Sequence, residues 1–215
     1  MTKVLYSFLI LILFSCNQKS KTTVIENQDS VATEVEHWQD GFKLTHNINI
    51  DSIWGKPVRF YVTNKDCDSK ALAFYLGTYR PTDEPETARL LSLVTTDNDS
   101  LRPFYRWILN KTIVIQDGAL AEYTGGPARR YAEKFPKEFF EYMDFDKSGE
   151  KYTDWTNSIM YSGFYDSENQ KKQIEIASNL AKTMSLNCVE CDLKTKKRIE
   201  KFSKDYFSEI NSFKK

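Results

Sequence analysis

Apolar residues recur at helical spacing after four prolines of this chain, namely Pro85, Pro103, Pro127 and Pro136. After Pro103, for example, the stretch 104–108 reads FYRWI. Proline is favoured in the first turn of a helix, where its missing N–H would have no partner in any case. The pattern therefore predicts a short helix after each of these prolines. Asp117 is expected to cap a further short helix that Gly125 and Gly126 would end.

The C-terminal third predicts a helical hairpin. Two apolar stripes of helical period lie in this region, one formed by Ile174, Ala177, Ala181 and Met184 and the other by Ile199, Phe202, Tyr206 and Ile210. The sequence NCVEC (187–191) lies between them. We therefore expect Cys188 and Cys191 at the turn between two helices.

The N-terminal part of the folded region has a mixed pattern. Apolar residues alternate with polar ones at Phe42, Leu44, Ile48 and Ile50, which is typical of a half-buried strand. The stretch 57–62 fits either a strand or another helix opened by proline, and 69–79 predicts a helix. The expected fold is mainly α, either a compact bundle or a solenoid-like stack of short helices, with room for a small β element near the N-terminus.

The composition is that of a globular protein with balanced charge. The 215 residues are 40% hydrophobic and 28% charged, and 30 basic side chains balance 30 acidic ones. The balanced charge gives no sign of the positive surface that binds nucleic acid, so no nucleic-acid partner is expected. No cofactor motif is present either.

The N-terminus has the pattern of an export signal. Lys3 precedes the apolar run Val4–Phe14, which is too short to span a bilayer as a helix. Residues 1–15 are therefore predicted to be a signal peptide. Residues 16–40 are polar and show no sustained apolar period, which predicts a flexible tether, and residues 41–215 are predicted to form a single helical domain.

The stretch Leu13-Phe14-Ser15-Cys16 resembles the lipobox of bacterial lipoproteins. This resemblance implies that the signal peptide is cut before Cys16 and that Cys16 carries acyl chains that anchor the protein to a membrane. The resemblance also implies the outer membrane as the destination, since Asn17 replaces the aspartate often found in lipoproteins retained at the inner membrane. The domain is then periplasmic or surface-exposed.

Three cysteines remain for other chemistry. In an oxidising compartment we expect a disulfide from Cys67 to either Cys188 or Cys191, which would join the hairpin to the helical body. Closing so long a loop stabilises a fold by about 4–5 kcal/mol in the chain-entropy model. A zinc site formed by the three cysteines and His46 is an alternative, as is a redox-active CxxC pair.

One loop resembles the first half of a calcium site of the EF-hand type. Asp144, Asp146 and Ser148 place oxygen atoms at alternate positions before Gly149. The second half lacks the closing glutamate, because Trp155 stands at the twelfth position. Turn formation after a helix is the alternative role for these three residues.

Two further groups are candidates for binding or catalysis. Gly125-Gly126-Pro127 with Arg129 and Arg130 presents backbone N–H groups and guanidinium groups that suit an anion. Asp117 and Glu122 are a carboxylate pair of the kind used by glycan hydrolases. Each arrangement also has a purely structural explanation, as helix termini and solvated side chains.

The expected function follows from these features. The sequence has no GxSxG, HExxH or P-loop motif and only two histidines, so no catalytic residue is assigned. We expect a non-catalytic outer-membrane lipoprotein that binds another envelope protein, as a scaffold or an inhibitor. The alternatives are a carboxylate-dependent hydrolase of envelope glycan and a periplasmic metal-binding protein.

Overall fold

The computed structural model describes residues 37–165 and 170–212, with the side chains of 163–165, 170–174, 176, 177 and 206–212 outside this description. The described residues belong to one compact unit, Glu36–Lys215. The predicted signal peptide, Cys16 and most of the predicted tether lie outside the described residues. Within the described part, Gln39 is buried and its side-chain amide donates to the carbonyl of Phe74 at 2.6 Å. Gln39, near the C-terminal end of the predicted tether, is therefore in contact with the folded part.

A small antiparallel hairpin precedes the main helices. Strand β1 (Ser52–Ile53) pairs with β2 (Lys56–Pro57), and helix α1 (Val58–Val62) follows directly. The strand predicted across 42–50 is wrong, because this segment consists of a short 3₁₀ helix at Asp40–Phe42 followed by irregular backbone. The carboxylate of Asp51 orders that backbone by accepting hydrogen bonds from the peptide N–H and the hydroxyl of Thr45.

The rest of the described chain is mainly helical. The remaining α-helices are α2 (Ser69–Tyr75), α3 (Pro85–Ser92), α4 (Arg102–Ile115), α5 (Gly118–Lys134), α6 (Pro136–Phe145), α7 (Glu150–Tyr165), α8 (Gln170–Leu186) and α9 (Leu193–Ser212). Helix α5 packs against α3, α4, α6, α7 and α8, which places it at the centre of the molecule. The mainly α prediction is confirmed, as a compact helical bundle with a two-stranded sheet.

Three of the four predicted proline starts are confirmed, and the fourth is wrong. Pro85, Pro103 and Pro136 lie in the first turns of α3, α4 and α6. Pro127 lies inside α5, which continues through Gly125 and Gly126. The helix continues because these residues are packed against a neighbour, and this tertiary contact outweighs their weak intrinsic preference for helix.

The C-terminal hairpin packs on the body through aromatic side chains. Phe202 of α9 contacts the rings of Phe139 and Phe140 of α6 edge-on, with centroid distances of 5.5 and 6.2 Å. Arg198 of α9 forms an ion pair of 2.6 Å with Asp144 at the end of α6. The predicted hairpin is confirmed, with residues 187–192 forming its connection.

Candidate ligand-binding cleft

A cleft opens where the β-hairpin meets the first turns of α4 and α6. Its cavity volume is about 310 Å³, and its lining includes Trp54, Tyr61, Arg102, Arg106 and Glu138. A cavity of this size is at the lower end of the range found for small-molecule sites. The cleft combines charged and aromatic side chains in a space that suits a small ligand.

Arg106 is the most unusual residue of the cleft. Its side chain is almost fully buried, at 2% exposure, although a guanidinium group always carries a positive charge. Its Nη1 donates to the hydroxyl of Tyr131 at 2.9 Å. Its Nε and Nη2 have no hydrogen-bond partner among the described residues. A buried charge without a counterion is costly, so Arg106 requires a specific explanation.

Two aromatic rings enclose the Arg106 guanidinium. Its Cζ lies 4.3 Å from the ring centroid of Trp54 and 4.2 Å from that of Tyr142. Such cation–π contacts partly compensate the lost hydration of the cation. Burial raises the pKa of the Tyr142 hydroxyl, and the charge of Arg106 opposes this rise only in part, so Tyr142 stays neutral. The two ring centroids lie only 5.6 Å apart, so the rings approach the guanidinium from adjacent directions, and they supply no anion.

Trp54 is held over Arg106 by the turn of the β-hairpin. Trp54 and Gly55 form this turn with φ values of 51° and 76°. Both positive values suit a type I′ turn, but a bulky side chain rarely adopts this backbone region. The hydroxyl of Tyr61 donates to the carbonyl of Ile53 at 2.8 Å and fixes the hairpin to α1. Trp54 itself remains 41% exposed, so its ring lies between Arg106 and solvent.

Arg102 lies one helical turn before Arg106, and each of its three side-chain nitrogens donates at least one hydrogen bond. Its Nε and Nη2 donate to the two carboxylate oxygens of Glu138 at 3.0 and 2.8 Å, and its Nη1 donates to the carbonyl of Thr96 at 2.8 Å. Nη2 also contacts Asp99, and the guanidinium stacks on the ring of Phe135. Two arginines on one helix therefore differ sharply, since the same Nε and Nη2 edge is occupied in Arg102 and open in Arg106.

The structure corrects the predicted disulfide. Cys188 and Cys191 are bonded to each other across the turn between α8 and α9, with a Cα–Cα distance of 5.0 Å, and Cys67 is a free thiol. The predicted bond from Cys67 to the hairpin is wrong because the turn itself brings the two hairpin cysteines together. The peptide N–H of Cys191 donates to the carbonyl of Cys188 at 3.1 Å and closes that turn. Burial and the neighbouring charge of Asp68 raise the pKa of the Cys67 thiol to about 11.

The disulfide also removes the proposed zinc ligands from that role. A bonded cysteine has no thiolate to offer a metal, and His46 instead lies beside the ring of Tyr75. Within the described residues, no group of three or more His, Cys, Asp or Glu side chains is placed to hold a metal ion.

The residues of the predicted calcium loop serve as helix ends and ion-pair partners. The Asp146 carboxylate accepts hydrogen bonds from the peptide N–H groups of Ser148 and Lys151 and from the Ser148 hydroxyl. These bonds, that from Lys151 above all, hold the pKa of Asp146 below its usual value. Asp144 forms its ion pair with Arg198. The contacts match the alternative role in turn formation, and the loop joins α6 to α7.

The other two sequence candidates lie outside the cleft lining. The Asp117 carboxylate accepts from the peptide N–H of Leu120 and caps α5, and Glu122 is exposed on the same helix. The predicted anion site at Gly125-Gly126-Pro127 loses its free backbone N–H groups because α5 runs through it. Arg129 lies 4.0 Å from Glu133 on the next turn, and Arg130 is exposed.

The residues that form the cleft were not predicted as a site, although the sequence contains a signal for two of them. Arg102 and Arg106 are spaced like the buried Leu109 and Ile113 that follow them, so two charged residues occupy the apolar stripe of α4. A charge on the buried face of a helix is rare and marks a specific partner. Trp54 and Glu138 carry no such signal, because only the folded chain brings them beside α4.

Comparison with known proteins adds no relative. The chain matches no protein-family model, no curated protein and no solved structure. Among the helices of the described part, none combines the length and apolar character needed to cross a bilayer. The features that bear on function are therefore the cleft and the N-terminal sequence.

Proposed function

We propose that this chain is an outer-membrane-anchored lipoprotein whose folded part, periplasmic or surface-exposed, recognises an envelope component without catalysing a reaction. The observation that carries the proposal is the cleft beside Arg106, where a buried guanidinium edge has no partner within the described residues. Open hydrogen-bond donors in a concave site are the usual means of fixing a ligand. The lipobox at residues 13–16 supports the anchor, and an envelope protein that uses the domain as a scaffold or is inhibited by it is the expected partner.

The ion pairs of the cleft favour recognition over hydrolysis. A carboxylate-dependent hydrolase needs one carboxyl group free to donate a proton and a second free to act on the substrate. Glu138 and Asp99 both accept hydrogen bonds from Arg102, so neither carboxylate is free for these roles. Glu141, also on the lining, lies 4.0 Å from Lys137.

The two alternative functions have less support. The candidate hydrolase pair, Asp117 and Glu122, lies on α5 away from the cleft lining, and Asp117 is used as a helix cap. A metal-binding role would need the cysteines or the loop at 144–148. Cys188 and Cys191 are engaged in the disulfide, Asp144 in an ion pair and Asp146 in helix capping, and Cys67 is a single thiol.

Photo-crosslinking in cells tests anchoring and recognition together. A photoreactive phenylalanine derivative replaces Trp54 in the full chain, and the matched control carries it at Val114, which is exposed outside the cleft. We expect an adduct in the outer-membrane fraction from position 54 and none from position 114. The Cys16→Ser variant should be lost from that fraction. The absence of any adduct at position 54, or an unchanged location of Cys16→Ser, would contradict the proposal.

A further inference from the structure

We propose that the cleft binds a small oxyanion-bearing ligand, a carboxylate or a phosphate carried on a ring, through the Nε and Nη2 atoms of Arg106. The inference rests on the proposed function, because it names the chemical class that the recognition site takes. The ligand ring lies against Trp54, which lines the cleft and contacts the guanidinium. Trp54 thus contacts both the guanidinium and the ligand.

The geometry of the guanidinium selects an oxyanion. Nε and Nη2 lie on one edge of the planar group and point two N–H bonds in parallel, which matches two oxygens of a carboxylate or phosphate. Arg102 demonstrates this match in the same cleft, since its Nε and Nη2 hold both oxygens of Glu138. Arg106 is among the residues that line the cavity, and its equivalent edge has no acceptor among the described residues.

The protein does not neutralise Arg106 with a side chain of its own in the described part. The nearest link to a carboxylate runs through the Tyr131 hydroxyl, which accepts from Arg106 and lies 3.4 Å from Glu138 Oε2. Glu138 itself is committed to Arg102 by two hydrogen bonds. A ligand with a negative charge therefore supplies the anionic partner that Arg106 does not have among the described residues.

The surroundings of Arg106 also favour a small anion. Lys56 lines the same cavity and adds a second cation, with its Nζ 3.9 Å from the Phe60 ring. The volume of about 310 Å³ limits the ligand to a small molecule or a terminal group. Nε and Nη2 are buried, so a ligand reaches them only when a covering side chain moves, and the Trp54 ring is one of the two that contact the guanidinium. Side-chain rotation of this kind is common on binding, and Trp54 is already 41% exposed on a two-residue turn.

Calorimetric titration of the full chain in mild detergent with three related sugars tests this inference. Glucuronate and glucose 6-phosphate each carry an oxyanion on the same ring, and glucose carries none. We expect one or both anions to bind and glucose to bind at least tenfold more weakly. In nuclear magnetic resonance spectra the Nε–H signal of Arg106 should shift on binding, which a purely structural arginine would not show.

Variants connect the affinity to the open edge. Arg106→Lys keeps the charge but lacks the two parallel donors, so we expect the affinity to fall by roughly 10- to 100-fold. Trp54→Leu, a change on the exposed hairpin, should weaken binding while leaving the core intact. The exposed Arg80, which does not line the cleft, provides the control Arg80→Lys with unchanged affinity. Circular dichroism checks that each variant is folded.

The outcomes separate the sources and separate this inference from the proposed function. Binding of glucuronate alone, or of glucose 6-phosphate alone, with loss in Arg106→Lys, identifies the anion as a carboxylate or a phosphate. The inference is overturned if neither anion binds. It is also overturned if glucose binds as tightly as the anions, or if folded Arg106→Lys binds the anions as tightly as the wild type does. If the crosslink at position 54 still forms in that case, the proposed recognition function stands and only the ligand class is wrong.

Discussion

The carboxylate of Asp68 caps one helix and forms an ion pair with a residue of another. Its Oδ1 accepts from the peptide N–H of Lys70 in the first turn of α2 at 2.9 Å, and its Oδ2 lies 2.6 Å from Nη1 of Arg89 on α3. The hydrogen bonds from Arg89 are the main reason that the pKa of Asp68 is lowered. The residue therefore combines a local signal, the helix cap, with a contact that depends on the fold.

Replacing Asp68 by alanine should lower the free energy of unfolding by about 1–2 kcal/mol at neutral pH. Loss of the cap accounts for about 1 kcal/mol, and the ion pair adds less because Arg89 is partly exposed. Since the folded pKa is below the unfolded one, this contribution is complete above pH 4 or so and is lost as the pH falls through the folded pKa. Urea unfolding at pH 7 and at roughly pH 2 measures both effects.

The control for this prediction is Asp83→Ala, a change at an exposed residue of the loop before α3. Its effect should stay within about 0.5 kcal/mol at both pH values. A difference between Asp68→Ala and the wild type that was as large at low pH as at neutral pH would contradict the role of the charged carboxylate.

Residues of the candidate site were predictable only where the signal is local. The arginines at 102 and 106 interrupt the apolar stripe of α4, and that anomaly can be read from spacing alone. Which of them is neutralised cannot be read in this way, because Glu138 lies 36 residues from Arg102 in sequence. The open edge of Arg106 is thus a property of the folded chain, as is the position of Trp54 above it.

At the scale of elements, the crossing of α5 and α7 explains why one sequence rule failed. A Cβ atom built on Gly125 would collide with the backbone carbonyl of Ser158 and lie 3.0 Å from Cβ of Ser162. Glycine at this position allows the two helices to approach closely. The rule that glycine and proline end helices holds at Gly77, where φ is 75°, but fails at 125–127, where burial between helices dominates.

Gly125→Ala should destabilise the protein by about 2 kcal/mol, because the added methyl group forces α5 and α7 apart. Gly118→Ala is the matched control on the same helix, since nothing lies within 4 Å of its added Cβ. The control should be neutral or stabilising by about 0.5 kcal/mol, because alanine reduces the entropy of the unfolded chain. Urea unfolding of both variants provides the measurement, and equal effects would contradict the close crossing.

The prolines show which secondary-structure elements the local sequence pattern can predict. Pro85, Pro103 and Pro136 open helices as predicted, since the first turn requires no N–H from the proline. The alternation of apolar and polar residues at 42–50 predicted a strand. In the structure the apolar side chains of this segment are buried unevenly, from Phe42 at 6% exposure to Ile50 at 67%. Without a neighbouring strand to pair with, alternation alone does not produce a sheet.

At the scale of the whole molecule, the C-terminal hairpin is attached to the body by aromatic packing, an ion pair and a hydrogen bond. Phe202 contacts α6, Arg198 pairs with Asp144, and the side-chain amide of Asn187 donates to the carbonyl of Glu133 at 2.8 Å. The described structure has its disulfide inside the hairpin connection, between residues three apart. A bond within so short a loop restricts the unfolded chain far less than the predicted bond from Cys67 would have done.

Reduction of the disulfide should therefore lower stability only modestly. The chain-entropy model gives about 2 kcal/mol for a loop of about four residues, which corresponds to a fall in Tm of about 4–8 °C for a domain of this size. Thermal unfolding with and without a phosphine reductant measures this shift. The double variant Cys188→Ser/Cys191→Ser should unfold like the reduced wild type and should not respond to the reductant. Cys67→Ser should retain the full response, because its thiol is free. If Cys67→Ser abolished the response instead, Cys67 would be part of the disulfide, and the hairpin would be joined covalently to the helical body.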